Sequence, residues 1–228
     1  MIMREIVLDT ETTGLNYKSG DRVVEVGCVE LVNHISTGNN LQFYCSVDKE
    51  IKDDAKYVHG LTNEFLNQHP TFKEQVGGFL EFIKQDTLII HNSEFDIGFI
   101  NNELKLIGIN KLKNRVIDTI SLARKTLDTR IANLDYLCKR FSIDLGARTF
   151  HGALLDCQLL AEVYLELLGG RQTSLDLAVT TNLNVNTHRN SLKKKHTIYK
   201  VKITEENIQE HKDFIADLKN ALWHKVNY

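Results

Sequence analysis

The sequence lacks the excess of positive charge that many nucleic-acid-binding proteins carry. Its 28 lysine and arginine residues are balanced by 30 aspartate and glutamate residues, which gives a formal net charge of −2 and a pI near 6.5. Any contact with a nucleic acid must therefore come from a local patch rather than from a global positive field. Overall charge argues neither for nor against such a ligand.

Closely spaced cysteines, long apolar runs and internal repeats are also missing. The four cysteines include no Cys-x-x-Cys pair, which argues against a zinc knuckle or a redox dithiol and favours reduced, mostly buried thiols. No stretch of ~18 apolar residues occurs, and no apolar run follows a positive flank at the N-terminus. We therefore expect a cytoplasmic protein with neither a signal peptide nor a membrane contact.

What the sequence does contain is a core-forming first part of α/β type. Of its 228 residues, 42% are hydrophobic, which favours one α/β domain with an appendage. Strand-like stretches at 5–8, 22–32 and 41–46 predict an antiparallel meander. Helical periodicity follows at 72–83, 94–107, 134–141 and 153–168, with short buried strands at 87–90 and 116–117.

Composition changes after the two glycines that end the last of these helices. Residues 171–195 are rich in Thr, Asn and Ser and predict a flexible linker. Residues 196–228 regain a pattern, with a strand at 196–203, a helix from Thr204, and an apolar stripe made of Phe214, Ile215, Leu218, Leu222 and Trp223. Because so small a segment cannot bury its own stripe, we expect it to dock on a partner. The predicted organisation is thus a domain at 1–170, a linker, and a docking segment.

Two carboxylates follow the first strand directly. Asp9 and Glu11 are separated by one residue, so an extended chain points both side chains to the same side. Such a pair repels itself unless a cation lies between, and hard oxygen ligands suit Mg²⁺ or Mn²⁺. Gly14 behind Thr12 and Thr13 permits close approach of a ligand to the backbone. A solvated turn is the alternative interpretation of this pair of carboxylates.

Three further residues add to this acidic group. Asp96 lies early in a helix and shares a face with Ile100, which predicts that it points inward; a simple preference for the helix N-terminus is the alternative. His151 and Asp156 are about one and a half turns apart at the start of the last core helix, so both can face one cavity. An imidazole beside a metal-bound water is suited to act as general base. A core histidine is the alternative for His151.

These stretches together resemble the three exonuclease motifs of the DEDDh family. The resemblance rests on Asp-Thr-Glu-Thr-Thr-Gly at 9–14, the block from His91 to Phe99, and Arg148 to Asp156. Within that family the sequence is similar to the epsilon-type proofreading subunits of bacterial DNA polymerase III, to which Val58-His59-Gly60-Leu61-Thr62 also corresponds. The similarity is dense up to Gly170 and loose in the tail.

The resemblance implies an RNase H-like exonuclease fold, with a mixed five-stranded sheet flanked by helices and the carboxylates at its centre. It implies that Asp9, Glu11 and Asp156 bind one divalent cation, that Asp9 bridges to a second, and that Asp96 supports the second through water. His151 would accept a proton from the attacking water. The terminal nucleotide would contact Asp9, Glu11 and Asp156, together with Thr12, Thr13, His59 and Phe95. The expected reaction releases nucleoside 5′-monophosphates from DNA 3′ ends, single-stranded or mismatched.

The tail supplies the expected protein partners. Gln172, Leu175 and Leu177 resemble the short motif by which bacterial proteins bind the sliding clamp, although an ordinary polar linker is the alternative. The segment after Thr197 corresponds in position to the tether that binds the polymerase alpha subunit. A small accessory subunit is a further partner that the resemblance leaves open.

Two other functions compete with a proofreading subunit. A free-standing DEDDh exonuclease acting on RNA or DNA ends would carry neither a clamp motif nor a docking segment. A non-catalytic adaptor would not need the carboxylates and His151, all of which are present.

Overall fold

The computed structural model describes residues 3–146, 150–169 and 204–217. Within these ranges five strands form one mixed sheet: β1 (Arg4–Thr12), β2 (Val23–Val32), β3 (Ile35–Tyr44), β4 (Thr87–Ile90) and β5 (Val116–Asp118). The strand order is β3-β2-β1-β4-β5. Pairing is antiparallel from β3 to β1 and parallel from β1 to β5. The expected five-stranded mixed sheet is therefore confirmed.

Helices follow and flank the strands. A short 3₁₀ helix (Tyr17–Ser19) succeeds β1, and the α-helices are α1 (Asp53–His59), α2 (Asn63–Leu66), α3 (Phe72–Ile83), α4 (Ser93–Leu106), α5 (Thr119–Leu127), α6 (Leu134–Arg140), α7 (Ala153–Leu167) and α8 (Glu205–Asp217). None of the helices in the described ranges is long and apolar enough to cross a membrane.

The sheet is covered on both faces. Along β1, Ile6 and Leu8 belong to the core that contains residues of α3 and α4, whereas Val7 belongs to the core that contains residues of α5, α6 and α7. β2 is likewise buried along most of its length. The sequence of a strand that is buried on both faces is nearly continuously apolar. A polar residue within such a strand needs a hydrogen-bond partner inside the protein. Glu5 and Glu11 of β1 and Glu25 of β2 are buried in this way.

Two expectations about side chains and the tail can be checked directly. All four cysteines are buried and free of disulfides, as expected. Contacts divide the chain into two units, Met1–Asp176 and Leu177–Tyr228, and α8 is the described part of the second. The hydroxyl of Thr204 accepts the amide of Asn207, so the predicted helix start is confirmed. The predicted linker, the strand at 196–203 and the clamp motif lie outside the described residues.

Candidate active site

The alternation along β1 decides where its carboxylates point. Val7 packs under α7, so Asp9 and Glu11, two and four residues further on, share the α7 side of the sheet. The same parity holds earlier in the strand, where the Tyr164 hydroxyl of α7 donates to Glu5 at 2.9 Å. The two carboxylates therefore face the helix that carries Asp156.

A glycine in β2 lets α7 come close enough to complete the group. Gly27 is the register partner of Asp9, and a β-carbon added to it would lie 2.4–2.5 Å from backbone atoms of Ala153 and Leu154. The Cys157 thiol also contacts the Gly27 carbonyl at 3.2 Å. Only glycine permits this contact between a strand and the first turn of a helix.

The first turn of α7 brings three predicted residues together. Glu11, His151 and Asp156 each offer a ligand atom, and these atoms lie within 4.8 Å of one another. The His151 Nδ1 is 3.2 Å from the Asp156 Oδ2. The His151 backbone N–H donates to the Val58 carbonyl at 3.0 Å, which fixes the loop that carries it. The interpretation of His151 as a core residue is excluded, because its side chain is 45% exposed.

Asp96 reaches the same group from the other side of β1. Thr10 points to the α4 face, and its hydroxyl donates to the Asp96 Oδ1 at 2.7 Å. Asp96 is 2% exposed, as the sequence predicted. Burial raises its pKa to about 7, although the Thr10 hydrogen bond opposes the shift. β1 therefore carries Asp9 and Glu11 on its α7 side, and on its α4 side it carries Thr10, which holds Asp96.

The carboxylates destabilise one another's charge. Burial raises the pKa of Asp9 well above its usual range, and the neighbouring charges of Asp96, Glu11 and Asp156 raise it further. A cluster of hard oxygen ligands that repel each other at neutral pH is the arrangement that a divalent cation relieves. The donor set therefore fits divalent metal binding, which Asp9, Glu11 and Asp156 would provide.

The cluster opens into a cleft of about 1020 Å³. The walls away from the carboxylates combine apolar and basic side chains, among them Leu15, Val58, Phe95, Ile120, Lys52 and Arg124. Lys52 is held by Asp21 at 2.7 Å. A cleft lined by carboxylates, apolar side chains and the basic side chains of Lys52 and Arg124 suits a nucleotide whose phosphate lies near the carboxylates.

The four residues expected to cradle a nucleotide are placed differently from one another. Phe95 and Thr12 line the cleft. His59 also lines it, but its ring is buried: Nδ1 accepts the Leu61 amide and Nε2 approaches the Thr12 carbonyl. Burial lowers the pKa of His59, so it is a neutral part of the wall.

Thr13 is the fourth of these residues, and it lies inside the protein rather than on the lining of the cleft. Its side chain is fully buried, and its hydroxyl accepts the Arg22 amide at 3.0 Å. Its own amide donates to the Arg22 carbonyl. Thr13 thus supports the turn after β1, and its contact with a nucleotide stays a prediction.

Several supporting residues were not predicted from the sequence. Thr10 anchors Asp96, Gly27 admits α7, and the buried Glu25 accepts the amides of Ala153 and Leu154. The glycine inside a strand was a usable signal, because such residues mark close backbone approach. Thr10 and Glu25 each contact a helix that is distant in the sequence, so no local pattern records their roles.

Comparison with known proteins places these features in a family. Residues 6–164 match the family described as Exonuclease (RNase_T). The chain is 44% identical over 223 residues to the DNA polymerase III subunit epsilon of Rickettsia felis, covering 95% of this chain and 97% of that one. It is 45% identical over 186 residues to the epsilon subunit of Escherichia coli, covering 78% and 76%.

Solved structures agree in fold. The nuclease domain of 3′hExo, a DEDDh family member bound to rAMP, has a TM-score of 0.65 at 16% identity, covering 73% of this chain and 92% of that one. Exonuclease X in complex with 5′ overhanging duplex DNA has a TM-score of 0.59 at 20% identity, covering 72% and 91%.

Proposed function

The chain belongs to the exonuclease family that also contains the DNA polymerase III epsilon subunits, and from that premise we propose that it is the proofreading 3′→5′ exonuclease of a bacterial replicative polymerase. The observation that carries the proposal is that Asp9, Glu11, His151 and Asp156 line one cleft, with Asp96 beside them through Thr10 and through the effect of its charge on Asp9. The similarity to epsilon subunits over nearly the whole length supports the same function.

The proposed chemistry is hydrolysis of the terminal phosphodiester. Asp9, Glu11 and Asp156 would hold two divalent cations, Mg²⁺ or Mn²⁺, and Asp96 would support the second. When bound, these cations supply Lewis-acid stabilisation of charge on the phosphate and on the leaving oxygen. The His151 imidazole accepts a proton from the attacking water. The phosphorus–oxygen bond to the 3′ oxygen breaks, giving a nucleoside 5′-monophosphate and a strand that is one nucleotide shorter and ends in a 3′ hydroxyl.

The cleft supports recognition of a single terminal nucleotide. Phe95 offers an aromatic face to a base, as is common where proteins bind single-stranded nucleic acid. The apolar wall formed by Leu15, Val58 and Ile120 suits a sugar and base rather than a second strand. A mispaired end frays more readily than a paired one, so it reaches such a cleft at lower free-energy cost.

The proposed setting is a replicase in the cytoplasm. We assign polymerase docking to residues 196–228, which would bind the alpha subunit, and clamp binding to Gln172, Leu175 and Leu177, with residues 1–170 as the exonuclease domain. A small accessory subunit would complete the assembly. These assignments rest on the positions of the segments in the chain and on the similarity to epsilon subunits.

A substrate comparison tests the proposal. Primer–template DNA with a matched or a mispaired 3′ terminus, single-stranded DNA, and RNA of the same sequence would each be incubated with the full chain and Mn²⁺. We expect degradation in the order single-stranded or mispaired DNA, then matched DNA, then RNA. Preference for RNA would instead support a free-standing ribonuclease, and absence of any hydrolysis would support a non-catalytic adaptor.

A further inference from the structure

Asp118, the last residue of β5, accepts four hydrogen bonds with one carboxylate. Its Oδ1 accepts the amides of Ile120 and Ser121 at 2.8 and 3.1 Å, which caps the N-terminus of α5. Its Oδ2 accepts the amide and the hydroxyl of Ser93 at 2.9 and 3.1 Å. Ser93 is the first residue of α4, so one side chain holds the N-termini of two helices.

The connection from Asp118 to α4 replaces a cap that α4 does not provide for itself. The preceding residue, Asn92, makes no side-chain capping hydrogen bond. A carboxylate at a helix N-terminus is favoured by the helix dipole, and hydrogen bonds to an ionised acceptor are among the stronger ones. Burial would raise the pKa of Asp118, but the hydrogen bonds from Ser93, Ser121 and Ile120 lower it overall. Asp118 is therefore an anion at neutral pH.

The next residue in the chain holds the other end of the same loop. Thr119 is fully buried, and its hydroxyl is 3.2 Å from the carbonyl of Ile90, the last residue of β4, and 2.9 Å from the His91 Nδ1. Asp118 and Thr119 thus fasten the β4–α4 connection immediately before and after His91 and Asn92.

The backbone of that connection needs such support. Asn92 has φ 68° and ψ 57°, a left-handed conformation that is uncommon for a residue with a side chain. Conformations of this kind persist where the surroundings over-determine them, and they concentrate at functional sites. His91 and Asn92 line the cleft, as does Phe95 in the first turn of α4. Asp96 follows Phe95 in that turn.

We propose that Asp118 is a positioning residue for the exonuclease site: its carboxylate joins α4 to α5 and thereby sets the location of Asp96 relative to Asp9. The proposal rests on the exonuclease function proposed above. Asp118 touches neither the substrate nor the cation, and it acts through the backbone of Ser93. Groups that orient the carboxylates of a metal site commonly change metal affinity or activity by about 10- to 100-fold.

Asparagine at this position separates the two capping functions. In Asp118→Asn the amide oxygen can still accept from Ile120 and Ser121, because asparagine is a good N-cap residue. Its NH₂ group cannot accept the Ser93 amide, so the hydrogen bond to the backbone of α4 is lost while the α5 cap remains. We expect kcat on an oligonucleotide to fall about 10-fold with KM nearly unchanged, and the Mn²⁺ concentration for half-maximal rate to rise about 10-fold.

Binding of Mn²⁺ alone provides a readout that does not depend on turnover. Calorimetric titration of the full chain with Mn²⁺ should show a dissociation constant about 10-fold higher for Asp118→Asn than for the unsubstituted protein. The control is Thr71→Ala, which removes the capping box of α3, away from the cleft. It should lower Tm by a similar amount and leave Mn²⁺ binding and kcat unchanged.

The outcomes separate the two proposals. Unchanged Mn²⁺ affinity and kcat in Asp118→Asn, with only a lower Tm, would make Asp118 an ordinary helix cap and overturn the inference. If Asp118→Asn did not fold, Ser93→Ala, which removes one of the two hydrogen bonds, should weaken Mn²⁺ binding in the same direction; an unchanged affinity would again overturn it. Unsubstituted protein that binds Mn²⁺ but hydrolyses no DNA would contradict the proposed function, while the Mn²⁺ titrations would still decide the role of Asp118.

Discussion

At the scale of single residues, the site is defined by charges that the fold forces together. Asp9 shows this most clearly, since burial and its acidic neighbours raise its pKa. A carboxyl group whose pKa is raised by folding makes its most favourable contribution to the stability of the folded state when it is protonated. Its contribution to stability is therefore lost as the pH rises from the unfolded value near 3.9 through the folded value. At neutral pH, the folding of the metal-free protein therefore works against the ionisation of Asp9.

The first prediction follows from that sign. In EDTA at pH 7, Asp9→Asn should melt higher than the unsubstituted protein, by roughly 2–4 °C for each kcal/mol of relieved repulsion. The difference should shrink as the pH falls towards the unfolded pKa near 3.9, because below that value Asp9 is protonated in both the folded and the unfolded state. Adding Mn²⁺ should raise Tm for the unsubstituted protein and much less for the variant. Melting curves at three pH values would check this, and a lower Tm for the variant in EDTA at pH 7 would show that Asp9 is not under repulsion.

A second residue-scale prediction concerns Arg124, which lines the cleft. Lys52 is ion-paired with Asp21, which also pairs with Lys49, whereas among the described residues no carboxylate pairs with Arg124. Arg124 is then free to contact a phosphate of the strand beyond the terminal nucleotide. Arg124→Ala should raise KM for an oligonucleotide several-fold and reduce the salt dependence of binding by about 0.7 in log–log slope.

A small substrate and a neighbouring lysine make this prediction specific. The p-nitrophenyl ester of thymidine 5′-monophosphate has no further phosphate, so Arg124→Ala should hydrolyse it at the normal rate. Lys125→Ala, on the same helix but outside the cleft lining, should change neither substrate's KM. An equal loss on both substrates would show that Arg124 acts on the chemistry or the fold instead.

At the scale of secondary-structure elements, the site depends on how closely α7 approaches β2. Gly27→Ala would place a methyl group 2.4–2.5 Å from backbone atoms at the start of α7, which no side-chain rotation can relieve. We expect a loss of about 1–3 kcal/mol in the free energy of unfolding, as in other overpacked cores. Exonuclease activity should also fall, and by more than the loss of folded protein would explain, because the first turn of α7 carries Asp156.

Gly77→Ala is the matched control for this substitution. Gly77 lies within α3, and a β-carbon there would meet nothing within 4 Å. Alanine should stabilise the helix by about 0.5–1 kcal/mol and leave activity unchanged. Urea unfolding and a nuclease assay on both variants would check the pair; full activity in Gly27→Ala would show that the contact between α7 and β2 does not position Asp156.

Some of the helices and strands could be predicted from the sequence and others could not. Helices with an apolar stripe, such as α3 and α7, were predictable because their buried residues recur at helical spacing. α1 was not, since His59 is its one buried residue and no periodicity results. The first half of β3 is exposed and polar, so its ladder with β2, rather than an alternating pattern, defines that part of the strand.

The candidate site was predictable to a similar degree. Asp9, Glu11, Asp96 and Asp156 are close in space because strand alternation and helix spacing decide their directions, and both periods can be read locally. Asp118 was not predicted, because its partner Ser93 is 25 residues away and no local pattern records the pairing. The hydrogen bond between Thr13 and Arg22 was not predicted for a related reason, because the turn after β1 folds back on a residue nine positions away.

At the scale of the whole molecule, the residues proposed for catalysis and those proposed for attachment occupy separate parts of the chain. Each residue proposed to act in hydrolysis lies before Gly170, and the proposed partner segments lie after it. Truncation after Gly170 should leave hydrolysis of a free single-stranded oligonucleotide close to intact, while co-purification with the polymerase alpha subunit should be lost. Tethering raises the effective concentration of the nuclease at the primer end, so weak individual contacts suffice.

Clamp attachment can be checked separately from polymerase attachment. Gln172→Ala with Leu175→Ala in the full chain should weaken binding to the sliding clamp and leave alpha-subunit binding and oligonucleotide hydrolysis unchanged. Truncated protein that bound the alpha subunit as tightly as the full chain would place the docking surface on residues 1–170.

The central claim is that the cluster around Asp9 and Asp156 hydrolyses DNA from its 3′ end with a divalent cation. The most direct measurement is the product pattern from a 5′-labelled single-stranded oligonucleotide with Mn²⁺, comparing the unsubstituted chain with Asp156→Asn and Asp54→Asn. Asp54 also lines the cleft but lies outside the cluster of Glu11, His151 and Asp156, so it controls for loss of one negative charge. We predict a ladder of products that are shortened one nucleotide at a time, with release of nucleoside 5′-monophosphates. EDTA and Asp156→Asn should abolish this ladder, and Asp54→Asn should largely keep it. Hydrolysis that persists in Asp156→Asn, or internal cleavage in place of a ladder, would contradict it.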